Sequence, residues 1–213
     1  MKLYINYFKL RIITFLQYKA SAIAGMATQF FWGIMMIFIY MAFYSKGSEV
    51  GMSLSEIITY TWLHQACYGL LSIRQNDKEI AKSIRDGSVA YEIIRPYNLY
   101  FWWYIKTVSK RMAGGFLRIL PIIIFALILP RPYSLTLPSS IGNFILFLIS
   151  LLLGILVVAG LNMIVYTMGF YTYNEQGIGS ILNSIMEVLS GGLVPVALLP
   201  TVKIGRASCR ERV

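Results

Sequence analysis

Two stretches of this chain, Ser21 to Tyr44 and Ile141 to Phe170, carry no charged residue at all. Each exceeds the roughly 20 residues that a helix needs to cross a hydrocarbon core of about 30 Å. In lipid a backbone can satisfy its polar groups only within a helix or a closed barrel, so runs of this length predict membrane helices. Composition agrees: 57% of residues are hydrophobic and 13% charged, against about 45–50% and about 25% in soluble domains. With 213 residues, the chain has room for five or six spans and short loops. No space is left for a separate soluble catalytic domain.

Five spans are expected: about 21–44, 57–73, 112–129, 141–170 and 178–199. The second is the more polar, with Thr59, Thr61, His64 and Gln65; the third contains Pro121, and Gly191, Gly192 and Pro195 break the far end of the fifth. Lys2, Lys9, Arg11 and Lys19 precede the first span, and Arg74, Lys78, Lys82, Arg85, Arg95, Lys106, Lys110 and Arg111 lie between the second and third. Only Lys46 and Arg131 fall on the opposite side. By the positive-inside rule, the N-terminus and the 74–111 loop are cytoplasmic in a bacterial inner membrane. The same rule accounts for the net charge of +10, so no nucleic-acid partner is implied. The first apolar run is too long for a signal peptide. Cys67 falls in a span and Cys209 in the last residues, so no structural disulfide is expected.

Phosphate-binding, zinc-protease, nucleophile-elbow and C-x-x-C patterns are all missing from the sequence. The one histidine, His64, has no companion histidine or neighbouring acid in the sequence, which favours an interhelical hydrogen bond over a metal site. No enzyme activity, metal or cofactor is therefore expected. Residues 1–20 form an amphipathic interfacial helix, with Leu3, Phe8, Ile12, Phe15 and Leu16 on its apolar side, serving as an anchor or as a lever into the first span. In the cytoplasmic loop, Asn76 and Glu79 suggest a capping box for a helix over 77–86. Gly87 would end it, and Ser88 would cap a second helix stopped at Arg95-Pro96. The apolar ridge of Ile80, Ala81 and Ile84 then reads as a docking surface, and the aromatic run from Tyr97 to Tyr104 as an interface anchor. On the fifth span, Ser180, Asn183, Ser184 and Glu187 share one helical face. Opposite lie Ile181, Leu182, Ile185, Val188 and Leu189. An ionisable group at that depth must face protein or water; a translocation path and a helix contact both satisfy this. Arg118 is expected to snorkel to the headgroups.

Residues 204–213, Ile-Gly-Arg-Ala-Ser-Cys-Arg-Glu-Arg-Val, stand apart. They read as the in-frame translation of a common sequencing adapter and are set aside from function, with a native chain expected to continue beyond Lys203.

Three features together resemble the type-2 permeases of ATP-binding-cassette transporters, of the six-span exporter kind. These are the basic amphipathic N-terminus, the Arg-Pro-containing segment Ile84-Arg-Asp-Gly-Ser-Val-Ala-Tyr-Glu-Ile-Ile-Arg-Pro-Tyr-Asn98, and the aromatic turn Gly169–Gly177 followed by Ser190-Gly-Gly-Leu-Val-Pro195 and Leu199-Pro200. The sixth span is absent and Tyr173-Asn-Glu-Gln is more polar than the family pattern. The resemblance implies an all-α permease that pairs with a second copy of itself or a sister permease and binds a separate ATPase. The 77–95 helices would couple to that ATPase, with Ile80, Ala81, Ile84, Arg85 and Gly87 at the contact. A carrier not driven by ATP, or an accessory scaffold, is the alternative.

Overall fold

The computed structural model describes residues 2–17, 19–45, 52–74, 77–138, 140–172, 175–192 and 195. The 204–213 tail, Lys46, Asn76, Tyr173-Asn174 and Leu199-Pro200 lie outside them. Described residues fold into eight helices and no strand: α1 (Lys2–Gln17), α2 (Lys19–Tyr44), α3 (Leu54–Leu71), α4 (Lys78–Arg85), α5 (Val89–Ile93), α6 (Leu99–Ile128), α7 (Ile141–Thr172) and α8 (Glu175–Leu189). The all-helical membrane class expected from the apolar runs is the class observed.

Among the described residues, three helices are long and apolar enough to cross a membrane: Ile23–Tyr44, Leu99–Ile128 and Ile141–Thr172. Five were expected. α8 has 15 residues, which at about 1.5 Å per residue is well short of a 30 Å core. α3 has 18 residues and its polar side chains dilute its hydropathy. That polarity is absorbed internally: Thr59 donates to the Ser55 carbonyl (2.9 Å) and Thr61 to that of Ile57 (2.7 Å), so neither hydroxyl is stranded in an apolar setting.

The third expected span begins earlier than read. Asn98 caps α6 by accepting from the Phe101 N–H (3.0 Å), and the aromatic residues from Tyr100 to Tyr104 form its first turns. The helix then continues through Lys106, Lys110, Arg111 and Pro121 as far as Ile128. Charge did not end it because those cations find partners, described below.

α6 packs against α1, α2, α3 and α7. At one end Ile37, Ile57, Ile58, Trp62, Ile122, Ala126 and Leu135 form a core, and the Trp62 indole donates to the Tyr133 carbonyl (2.9 Å). Gly115 lets α6 approach α3 so closely that a Cβ there would overlap the Leu70 side chain. At the other end Ile80, Ile84, Val89, Trp103, Met163 and Tyr166 form a second cluster. Most of the remaining α7 surface is exposed leucine, isoleucine and valine, including Leu153 and Val157, as a lipid-facing helix requires.

Candidate functional site

Two assemblies bring polar chemistry together: the α4–α5 hairpin, and a pair of cavities beside α3.

The hairpin is built on Asp77, 1% exposed. Its carboxylate caps α4 through the Glu79 N–H (2.9 Å), so the cap falls on Asp77 rather than Asn76. Asp77 Oδ2 meets Arg11 of α1 at 3.5 Å and Oδ1 meets Lys110 of α6 at 3.7 Å. Arg11 also reaches Glu79 (2.8 Å), as does Lys106 (3.4 Å). Helix α1 is thereby tied to the hairpin, with Tyr7 set against Trp102 at 5.0 Å between ring centres. Burial lowers the pKa of Arg11, but its hydrogen bond with Tyr7 and the nearby carboxylates outweigh this and leave it raised. Burial raises that of Tyr7. The guanidinium therefore stays charged and the phenol neutral.

Gly87 ends α4 at φ +75°, a left-handed conformation suited to glycine. Ser88 precedes α5 but makes no side-chain cap. It instead holds the Asp86 carboxylate, lowering its pKa by hydrogen bonds from side chain and backbone.

The apolar ridge turns inward. Ile80, Ala81 and Ile84 are 1%, 3% and 5% exposed, with both isoleucines packed into the cluster that α6 and α7 complete. Pairing with the rest of the chain buries them, so they are not an open docking surface; Arg85 and Gly87 remain exposed. The exposed apolar groups lie one helix further on, at Tyr91, Ile93 and Ile94 (74%, 63% and 81% exposed). Sequence reasoning placed the docking ridge on α4 and passed over them, although Ile93-Ile94 stands as an apolar pair directly before Arg95-Pro96.

Arg111, counted above among the loop cations, is 1% exposed. Its Nη1 donates to the carbonyls of Leu70 (2.9 Å) and Ser72 (2.8 Å), groups left open at the end of α3. Asn162 of α7, with its amide oriented to serve both neighbours, accepts from Nη2 and donates to the Ile73 carbonyl. Arg118 lies with its guanidinium against Gly25 of α2.

One cavity of about 600 Å³ opens between α3, α7 and α8, and another of about 440 Å³ lies between α2 and α3. Tyr60, His64, Tyr68, Glu187 and Gly192 line both. His64 stacks on Tyr60 and meets the edge of Tyr68. The fold thus brings His64 to the same cavities as an acid, Glu187, that lies far from it in sequence. Glu187 accepts from Asn183 Nδ2 (2.8 Å) and more weakly from the Tyr68 hydroxyl (3.5 Å). Tyr60 donates to the Gly191 carbonyl (2.9 Å), where Gly191 ends α8 at φ +81°.

The polar face expected on α8 is split. Asn183 is buried and Glu187 half-buried at the cavities, while Ser180 and Ser184 are exposed. Ser184 bonds back to the Ser180 carbonyl (3.0 Å). Of the opposite set, Ile181, Ile185, Val188 and Leu189 are exposed, and Leu182 packs on the cluster of Ile73, Val158 and Val165. No group of three or more metal-ligating side chains occurs among the described residues.

A family model described as ABC-2 family transporter protein matches residues 30–202. No curated protein and no solved structure matches the chain.

Proposed function

The chain belongs to the ABC-2 transporter family, a family of membrane transport subunits, and on that premise we propose that it is the permease of an ATP-driven exporter. It would take its energy from an ATPase on a separate chain and work beside a second copy of itself or a sister permease. The hairpin side and N-terminus would face the cytoplasm of a bacterial inner membrane, as the placement of lysine and arginine favours.

One observation carries the coupling role. The α4–α5 hairpin is anchored from within by Ile80, Ile84 and Val89, while α5 and its end leave Tyr91, Ile93 and Ile94 exposed, as are Arg85 and Arg95. An anchored element with an exposed apolar tip is suited to passing force from a docked partner, and apolar groups this open mark an interaction surface. The cavities along α3 and α8 would supply the path, with Glu187, Asn183 and His64 on its wall and Ser180 and Ser184 outside it.

The test is co-purification of this chain from its native host membranes with an ATP-binding-cassette ATPase. Ile93→Asp/Ile94→Asp should accumulate normally, because both side chains are already exposed, yet fail to retain the ATPase. Retention equal to the parent chain would overturn docking at this tip. A carrier independent of ATP would show no ATPase capture by the parent chain either, and transport that survives ATP depletion.

A further inference from the structure

Ser72 ends the cavity-lining helix α3 and Asp77 opens the hairpin, and the fold grips both residues. Ser72 itself is held twice. Its hydroxyl donates to Asn183 Oδ1 of α8 (3.2 Å), whose amide nitrogen holds Glu187 at the cavities. Its carbonyl accepts from Arg111 of α6 (2.8 Å), which Asn162 braces from α7. At the other end, the Asp77 N–H donates to the Tyr166 hydroxyl, one turn along α7 from Asn162, and the Asp77 carboxylate pairs with Lys110, the residue before Arg111. Residues 110 and 111 of α6 thus hold the two ends of one short segment. All the groups concerned except Glu187 and Lys110 are buried. Buried hydrogen bonds of this kind are costly to leave unmade, so a shift of the hairpin cannot be absorbed by breaking one of them alone.

We propose that Ser72 is a positioning residue that joins the hairpin to the cavity: displacement of Asp77 moves Ser72 against Arg111, and Ser72 in turn moves Asn183 and Glu187. The inference rests on the permease reading for its purpose, but it concerns contacts within this chain and can be tested without an ATPase. A side chain whose only role were to cap α3 would sit at the same place without linking the two ends.

Cys67 lines the larger cavity and supplies the reporter. In the full chain carrying Cys209→Ser, Cys67 is the sole thiol, and its rate of reaction with N-ethylmaleimide is measured in membranes of a host that expresses this chain alone. Asp77→Asn, which weakens the grip on the hairpin, is expected to change that rate by about twofold or more. In the presence of Ser72→Ala the same change should vanish, the non-additivity that residues in one network show. A purely structural Ser72 would alter the Cys67 rate by itself and leave the Asp77→Asn ratio intact, and that result would overturn the proposal. So would an Asp77→Asn chain whose Cys67 rate equals that of its parent. If Ser72→Ala fails to accumulate, Asn183→Ala breaks the same joint from the other side and is judged by the same ratio. Because no ATPase takes part, failure here leaves the docking experiment standing, and failure of docking leaves this coupling standing.

Discussion

Arg111 and Glu187 are both ionisable groups set among packed helices, and the protein treats them in opposite ways. Arg111 is shut in, with Leu70, Ser72 and Asn162 taking up both terminal nitrogens and only Nε left without a partner. Glu187 is half-buried, holds one strong hydrogen bond from Asn183, and faces two cavities. A charge surrounded by fixed partners fastens helices together, and its removal leaves orphaned carbonyls. A charge with spare acceptor capacity beside open space is free to meet something else. The first pattern fastens helices; the second is what the proposed path would need on its wall.

The contrast can be broken most severely at Arg111. Arg111→Met should destabilise the chain by about 2–6 kcal/mol, because the Leu70 and Ser72 carbonyls are left buried without a donor at about 1–3 kcal/mol each, read as a large drop in thermal midpoint in detergent. Arg111→Lys should recover part of this, since a lysine cannot reproduce the forked donation to two carbonyls. Next comes Ile80→Asp/Ile84→Asp, which places carboxylates in the cluster beneath the hairpin and should cost several kcal/mol. The same assay should find that substitution severe and Ile93→Asp/Ile94→Asp almost silent. Asn98→Ala removes the cap of α6 and should cost about 1 kcal/mol, seen as a small shift in the same midpoint. Smallest for stability is Glu187→Gln, which keeps the acceptor oxygen for Asn183 and should change stability by under about 1 kcal/mol. Its effect should fall on transport instead. A Glu187→Gln chain as unstable as Arg111→Met would erase the distinction between the two groups.

Much of this was open to inspection in the sequence. Charge-free runs predicted helices where α2 and α7 lie, because a long apolar segment has few other solutions. Gly87 marked the end of α4, since a positive φ has a short list of occupants. The spacing from Ser180 to Glu187 put four polar groups on one helical face. What the spacing could not give was which of them would meet a neighbour, and packing of α3 and α7 chose Asn183 and Glu187 over Ser180 and Ser184. The amphipathic hairpin was legible as well, but a ridge of isoleucine and alanine looks the same whether its partner is another protein or the chain's own α6 and α7.

The sequence by itself determined the solvent, the helical class and the positions of the breaks, because these follow from hydrophobicity and backbone preferences acting over a few residues. Tertiary structure alone decided which charges became fasteners, which became the cavity wall, and which face of the hairpin was left open. Those outcomes depend on groups such as Arg111 and Ser72, or His64 and Glu187, that are distant in the chain, and proximity of that kind is set only when the helices pack.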